Sequence, residues 1–184
     1  MPRLRSAPLA KHPKPWNFNL QMKKIIVVGC PGSGKSTFSL ELHNKTAIPL
    51  YHLDMMYWNA DKSVVEKRVF LDRLSAVLEK DDWIIDGNYA STMELRMAAC
   101  DTVIFLDYSP DVCLDGIKER RGKPRVDMPW TENEEDVEFI EFIKGYNDYQ
   151  RPKVLELFTK YSDKNIIIFK NREEANTFLK ALTP

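Results

Sequence analysis

The run Lys24-Ile25-Ile26-Val27-Val28-Gly29-Cys30-Pro31-Gly32-Ser33-Gly34-Lys35-Ser36 decides how the chain is read. Its last eight residues fit the phosphate-loop pattern G-x-x-x-x-G-K-[ST] at every specified position. Its first five are short, largely β-branched and continuously apolar, as expected of a strand buried on both faces. Beyond it, Ser36 to Asn44 carries Phe38, Glu41 and Leu42 with no proline or glycine, which predicts a helix. Strand, glycine loop and helix together are the context the pattern requires. In that setting Gly29, Pro31, Gly32, Ser33 and Gly34 let backbone N–H groups close around a polyphosphate at a helix N-terminus, where aligned peptide dipoles favour negative charge. Lys35 is expected to reach the β- and γ-phosphates and the Ser36 hydroxyl to ligate Mg²⁺, with Thr37 completing the nucleotide-binding stretch. Cys30 reads as a small residue of the loop, a redox switch being the alternative.

Outward from the loop, strands and helices alternate. Ile48 to Leu53 is expected to be a second strand ending at Asp54. Ser63-Val64-Val65-Glu66 is a capping box opening a helix with Phe70, Leu71, Leu74, Val77 and Leu78 on one face. Trp83-Ile84-Ile85 is a third strand ending at Asp86-Gly87, and Ser91-Thr92-Met93-Glu94 caps a short helix. Thr102 to Leu106 is a fourth strand with Asp107 at its end. Ser109-Pro110-Asp111 then supplies an N-cap, a proline at the first helical position and an early acid, and the helix stops at Gly122. Thr131-Glu132-Asn133-Glu134 is expected to cap a further helix with an apolar stripe of Phe139, Phe142, Ile143 and Tyr146, interrupted by Pro152. Asn165 to Phe169 is a fifth strand, and Asn171 to Glu174 caps the last helix. The alternation predicts an α/β fold: an open, mostly parallel sheet with helices on both faces and ligands at the carboxyl ends of the strands.

At 184 residues the chain has the length of one domain. Residues 22–184 are read as that single domain, with a short lid at about 121–138. Residues 1–21 hold four of the eleven prolines and four basic residues with no acid, and are read as a disordered basic tail: an upstream start, a cloning remnant or a basic arm ahead of Met22. The 27 lysines and arginines balance 27 aspartates and glutamates, so no overall basic field points to nucleic acid or a membrane. No apolar run approaches the roughly 18 residues that span a bilayer. Three cysteines without a C-x-x-C pair suit a reducing cytoplasm.

Strand ends then form a list of candidate site residues. Phosphoryl transfer needs a nucleotide cradle, a metal, charge neutralisation and an acceptor held in line. Ser36 and Asp86 are the expected Mg²⁺ ligands, because Gly87 after Asp86 permits close approach; Asp107 is the alternative carboxylate. Arg120, Arg121, Lys123 and Arg125 could close over the nucleotide and stabilise transferred charge, or could be a solvated helix C-terminus. The acidic run Glu132 to Glu138 reads as the exposed face of the next helix. Asp54 could take the proton of an acceptor hydroxyl while Tyr57 and Trp58 wall a ring, or could cap a helix over a hydrophobic corner. Arg96 could grip an acidic acceptor or pair on its own helix. His12, His43 and His52 form no metal spacing.

With these residues in view, Met22 to Leu182 resembles the adenylate-kinase-like P-loop kinases, specifically the bacterial topology modulation protein group. The matching words are Gly29 to Ser36, Leu53-Asp54-Met55 with Tyr57-Trp58, Trp83 to Tyr89, Arg120-Arg121-Gly122-Lys123, Asp127-Met128-Pro129-Trp130 and Arg151-Pro152-Lys153. The resemblance implies a three-layer fold with strand order 2-3-1-4-5, an ATP site, a short lid and an acceptor side to which Asn88, Tyr89 and Arg151 belong. Asn88-Tyr89-Ala90 replaces the Phe-Pro-Arg of adenylate kinases, and Gly116 stands where they carry an arginine against adenine, so AMP is disfavoured as acceptor. Leu53-Asp54 with Tyr57 is similar to the strand-end aspartate and aromatic of uridine-kinase-like enzymes.

Two functions are therefore expected to compete. The first is a cytoplasmic kinase using ATP and Mg²⁺ to phosphorylate a small acceptor, with a nucleoside or nucleotide among the candidates. It would be a monomer or dimer, with Lys35, Asp54, Arg120 and Arg121 as catalytic groups. The second is a nucleotide-dependent regulator of DNA topology with DNA or a protein as partner.

Overall fold

A computed structural model describes residues 22–182; the basic tail expected over 1–21 lies outside the described residues. Lys24–Gly29 (β1), Leu50–His52 (β2), Trp83–Asp86 (β3), Thr102–Leu106 (β4) and Asn165–Phe169 (β5) form one sheet in the order β2-β3-β1-β4-β5. Every neighbouring pair is parallel. Apart from half-buried Lys24 at the start of β1, the central strands β1, β3 and β4 are buried throughout, which is why their sequences are largely apolar runs.

The two-residue strand period divides the core. On one face Ile25, Val27, Ile84 and Ile104 pack against Phe38 and Leu42 of α1 (Lys35–Thr46), Cys113 and Ile117 of α5 (Pro110–Arg120), and Phe178 and Leu179 of α9 (Arg172–Ala181). On the other, Ile26, Val28, Ile85 and Val103 meet Phe70, Leu74 and Val77 of α3 (Lys67–Leu78), Met93 and Met97 of α4 (Ala90–Ala99), and Val154 and Phe158 of α8 (Arg151–Lys160). The result is the expected three-layer α/β fold.

Several boundaries differ from the sequence expectation, most of them because a polar side chain is claimed by another partner. Leu53 opens a short helix, α2 (Leu53–Tyr57), so Asp54 stands in its first turn, not on a strand end. Ser63 does not cap α3: Asp61 Oδ1 accepts both its N–H and its hydroxyl, in a turn closed by a Trp58–Val64 bridge. Glu94 is drawn to Lys160, and α4 starts at Ala90 without a side-chain cap. Thr131 caps nothing. Asp136 does so instead, accepting from Phe139 N, and α6 spans Val137–Lys144. Of its expected apolar stripe, Ile143 is buried but Phe142 is exposed. A break after Lys144 gives α7 (Tyr146–Tyr149), and Pro152 sits at the start of α8. The caps at Ser109 and Asn171 form as expected.

Two contacts position the loop side of the sheet. A Cβ on Gly116 of α5 would come within 2.1 Å of the Gly32 carbonyl oxygen, so the helix and the phosphate loop touch backbone to backbone. At the end of β4, Arg151 Nε and an Nη donate to the two oxygens of Asp107 at 2.7 and 2.8 Å, and Lys170 pairs with the same carboxylate. Burial would raise the Asp107 pKa, but these cations hold it below its ordinary value of 3.8.

Gly116→Ala is expected to destabilise the protein by about 1–3 kcal/mol through overpacking, and to weaken nucleotide binding, since the Gly32 carbonyl is what must move; thermal melts with and without ATP would read both. For Asp107 the sign follows from its depressed folded pKa. The stabilisation is complete above the unfolded value and is lost as pH falls through about 4 toward the folded value. Asp107→Asn should cost about 1.5–3 kcal/mol at neutral pH and flatten the loss of stability below about pH 4, as measured by melts over a pH series.

Candidate active site

The phosphate loop closes on itself. Ser33 N donates to the Cys30 carbonyl at 3.1 Å, and Lys35 Nζ donates to the carbonyls of Gly29 and Cys30 at 3.0 and 3.1 Å. Gly34 adopts φ +89 as the N-cap of α1 and brings no side-chain oxygen to the amides that open the helix. A Cβ at Gly34 would meet nothing within 4 Å, so the cradle faces open space. Burial lowers the Lys35 pKa, while Asp86, Cys30 and Asp54 pull it upward. Cys30 is buried, and the neighbouring Cys113 thiol together with burial pushes its own thiol pKa up.

The loop forms the floor of a cleft of about 1550 Å³. Pro31 to Thr37, Asp54, Trp58, Asp86, Asn88 and Tyr89 line it, together with Arg120, Arg121, Arg125, Asp127 and Trp130. Expected site residues from four separate stretches of sequence thus line one cleft. Three do not. Tyr57 packs against Trp58, Phe70 and Tyr89 behind the lining. Arg151 is engaged with Asp107 and stands outside the cleft. Arg96 was expected to grip the acceptor or pair on its helix and does neither. It is 0% exposed and donates to the carbonyls of Gly87 (2.9 Å), Asn88 and Tyr89 (3.3 Å). Burial pushes its pKa down to about 10, within the range where it remains charged at neutral pH. It is therefore the brace of the 87–89 turn.

That turn distributes its side chains between the loop and the acceptor side. Asn88, expected on the acceptor side, lines the cleft and holds Gly29: Gly29 N donates to Asn88 Oδ1 (3.2 Å), and Asn88 Nδ2 donates to the Gly29 carbonyl (2.7 Å). Tyr89 stands at φ +30 and donates its hydroxyl to Asp54 Oδ1 at 2.7 Å. Burial raises the Asp54 pKa, with Asp86 and Asp127 adding to it, against the pull of Tyr89 and Lys35. The Asp54 carboxylate is thus moved toward the range useful to a general base.

Asp86 is 3% exposed. His52 Nδ1 lies 2.8 Å from its Oδ1, and its Oδ2 is buried without a hydrogen-bond partner. Burial works to lower the His52 pKa, yet the hydrogen bond and charge of Asp86, with Asp127 and Asp54 behind it, carry it above its ordinary value. The sequence around His52 carries no sign of this role, because its partner lies 34 residues away.

The basic cluster is not a row of free cations. Arg120 makes a two-pronged bond to Glu132, both arms 2.8 Å; Arg121 pairs with Glu135 at 2.9 Å; Arg125 pairs with Asp127 and reaches Glu132 at 3.4 Å. Glu132 and Glu135 are therefore partners of the arginines within 121–136, a stretch without helix or strand, and not the solvated face of α6. Asp127, absent from the expected ligands, is 3% exposed and accepts from Ser36 Oγ at 2.6 Å. Its signal in the sequence was the Asp127-Met128-Pro129-Trp130 word alone.

The residues fit a Mg²⁺–nucleotide. Mg²⁺ keeps several waters and takes one or two carboxylates beside substrate phosphates. The cleft offers a hydroxyl, a buried carboxylate with an unpartnered oxygen, and an open amide cradle. Among the described residues no group of three or more His, Cys, Asp or Glu could cage an ion by itself, which a phosphate-assisted site does not require.

No family model matches this sequence, and no curated protein matches it. Solved structures do. The 1.7 Å crystal structure of shikimate kinase from Bacteroides thetaiotaomicron is similar with a TM-score of 0.52, covering 88% of this chain and 96% of that chain at 21% sequence identity. At that identity the likeness concerns the fold: this chain has the parallel five-stranded sheet of the P-loop kinases, in the order 2-3-1-4-5.

Proposed function

We propose that the chain is a cytoplasmic, Mg²⁺-dependent kinase that passes the γ-phosphoryl group of ATP to a hydroxyl of a small acceptor. The observation that carries this reading is the arrangement of Asp54, a carboxylate with a raised pKa, on the same cleft as an open phosphate loop. Similarity in fold to a kinase named for shikimate supports the reaction class.

Bound Mg²⁺–ATP supplies the electrophilic phosphorus. Loop amides and Lys35 hold the β- and γ-oxygens, so that negative charge gathering on them meets fixed dipoles and an ammonium group. Ser36 and Asp86 hold the ion. Asp54 orients the acceptor hydroxyl and takes its proton, and the Tyr89 O–H fixes which carboxylate oxygen is free to do so. Trp58 offers a face for a ring, so nucleosides and nucleotides rank among the candidate acceptors. Arg120 and Arg121 reach the phosphates by exchanging their carboxylate partners as the 121–138 lid closes, and Arg125 approaches them while it keeps hold of Asp127. Residues 22–184 act as one domain, of the topology modulation protein group, working as a monomer or dimer. No observation in the cleft favours a DNA-directed regulator.

Lys35→Ala is expected to lower ATP turnover by about 10²–10³ or more with the melting temperature retained; unchanged ADP release would remove the reading. Asp54→Asn should lower kcat by about 10²–10⁴ while KM for ATP holds. ADP release measured over a panel of nucleosides, nucleotides and small hydroxylated metabolites would identify the acceptor.

A further inference from the structure

The hydroxyl at the metal position of the phosphate loop is not bonded to the carboxylate that strand order would assign to it. Ser36 Oγ meets Asp127 Oδ2 at 2.6 Å, across 91 residues of chain. Neighbouring oxygens in an octahedral Mg²⁺ shell, each about 2.0–2.1 Å from the ion, lie about 2.9 Å from one another. The Ser36–Asp127 pair therefore has nearly the spacing of two adjacent ligands, and needs only about 0.3 Å of widening to become one.

A second, independent observation points to a cation in the same cleft. Asp86 lines the same cleft, is 3% exposed, and leaves Oδ2 buried with no partner. A carboxylate oxygen withdrawn from water without a donor is costly unless a cation or its waters complete it. Arg125 grips both oxygens of Asp127, Nε to Oδ1 at 3.0 Å and an Nη to Oδ2, and so fixes the carboxylate plane with Oδ2, which also accepts from Ser36, held at the loop. Resting on the kinase reading of the cleft, we propose that Asp127 is a carboxylate ligand of the Mg²⁺ site, supplied from the 121–136 segment beside Ser36 and Asp86. Metal binding and the seating of that segment over the nucleotide are then one event, and Arg125 is the positioning residue that couples them.

The competing account makes Asp127 a latch that occupies Ser36 in the empty protein and leaves when the ion arrives. Mn²⁺ titrations, read by the electron paramagnetic resonance signal of the free ion with saturating adenylyl imidodiphosphate, separate the two. Trp130, three residues beyond Asp127 and edge-on to Trp58, reports segment seating by fluorescence. Asp127→Asn should weaken Mn²⁺ by about tenfold or more and abolish the Mn²⁺-dependent fluorescence change, with nucleotide affinity in EDTA kept within about twofold of the wild type. Asp127→Cys, which substitutes a soft ligand, should raise the Cd²⁺-to-Mn²⁺ affinity ratio by about tenfold or more, and decides the matter should the asparagine variant fail to fold. Unaltered Mn²⁺ affinity in Asp127→Asn, tighter nucleotide binding in that variant both in EDTA and with Mn²⁺, or an unmoved ratio in Asp127→Cys would each overturn the assignment while leaving the kinase reading intact. Failure of the wild type to bind nucleotide at all would overturn both.

Discussion

The Gly29 carbonyl is the point on which the active side of the molecule converges. It accepts from Asn88 Nδ2 and from Lys35 Nζ, so the end of β1, the turn after β3 and the start of α1 meet at one oxygen. Asn88 can reach it because Arg96, buried beneath, gathers the carbonyls of residues 87–89. The same turn sends Tyr89 the other way, onto Asp54. A single braced bend thus sets both the shape of the phosphate loop and the orientation of the carboxylate across from it.

This arrangement explains why a charged guanidinium sits in an otherwise apolar layer. Three converging carbonyl dipoles offset much of the cost of burying it, without a carboxylate partner. The turn it braces has no regular hydrogen-bond ladder of its own, and Tyr89 holds a left-handed conformation that few bulky residues adopt. Stability placed under the turn is what keeps that conformation in a layer made chiefly of Met93, Met97 and their neighbours.

The sheet was legible from the sequence because its information is local. Continuous apolar runs at Lys24–Gly29, Trp83–Asp86 and Thr102–Leu106 can only be central strands of a parallel sheet, and the phosphate loop is one contiguous motif. Helix starts were less legible. Ser63, Glu94 and Glu132 each satisfy a capping pattern, but Asp61, Lys160 and Arg120 claim them, and spacing along the chain carries no record of such competition. The same limit hid the long-range members of the site. His52 and Asp127 acquire their meaning from partners 34 and 91 residues away, and Arg96 from a burial that an isolated arginine in a helix does not announce.

The pairing of Arg120 and Arg121 with Glu132 and Glu135 also bears on how this surface responds to its ionic surroundings. Where basic side chains stand bare, a polyanion displaces small ions from solution, and affinity falls steeply with added salt. Here the protein carries its own counterions, and under the proposed function an arriving phosphate would trade places with a tethered carboxylate that cannot diffuse away. The electrolyte would be left largely outside such an exchange, so affinity for a phosphate ligand would be buffered against ionic strength by the chain itself.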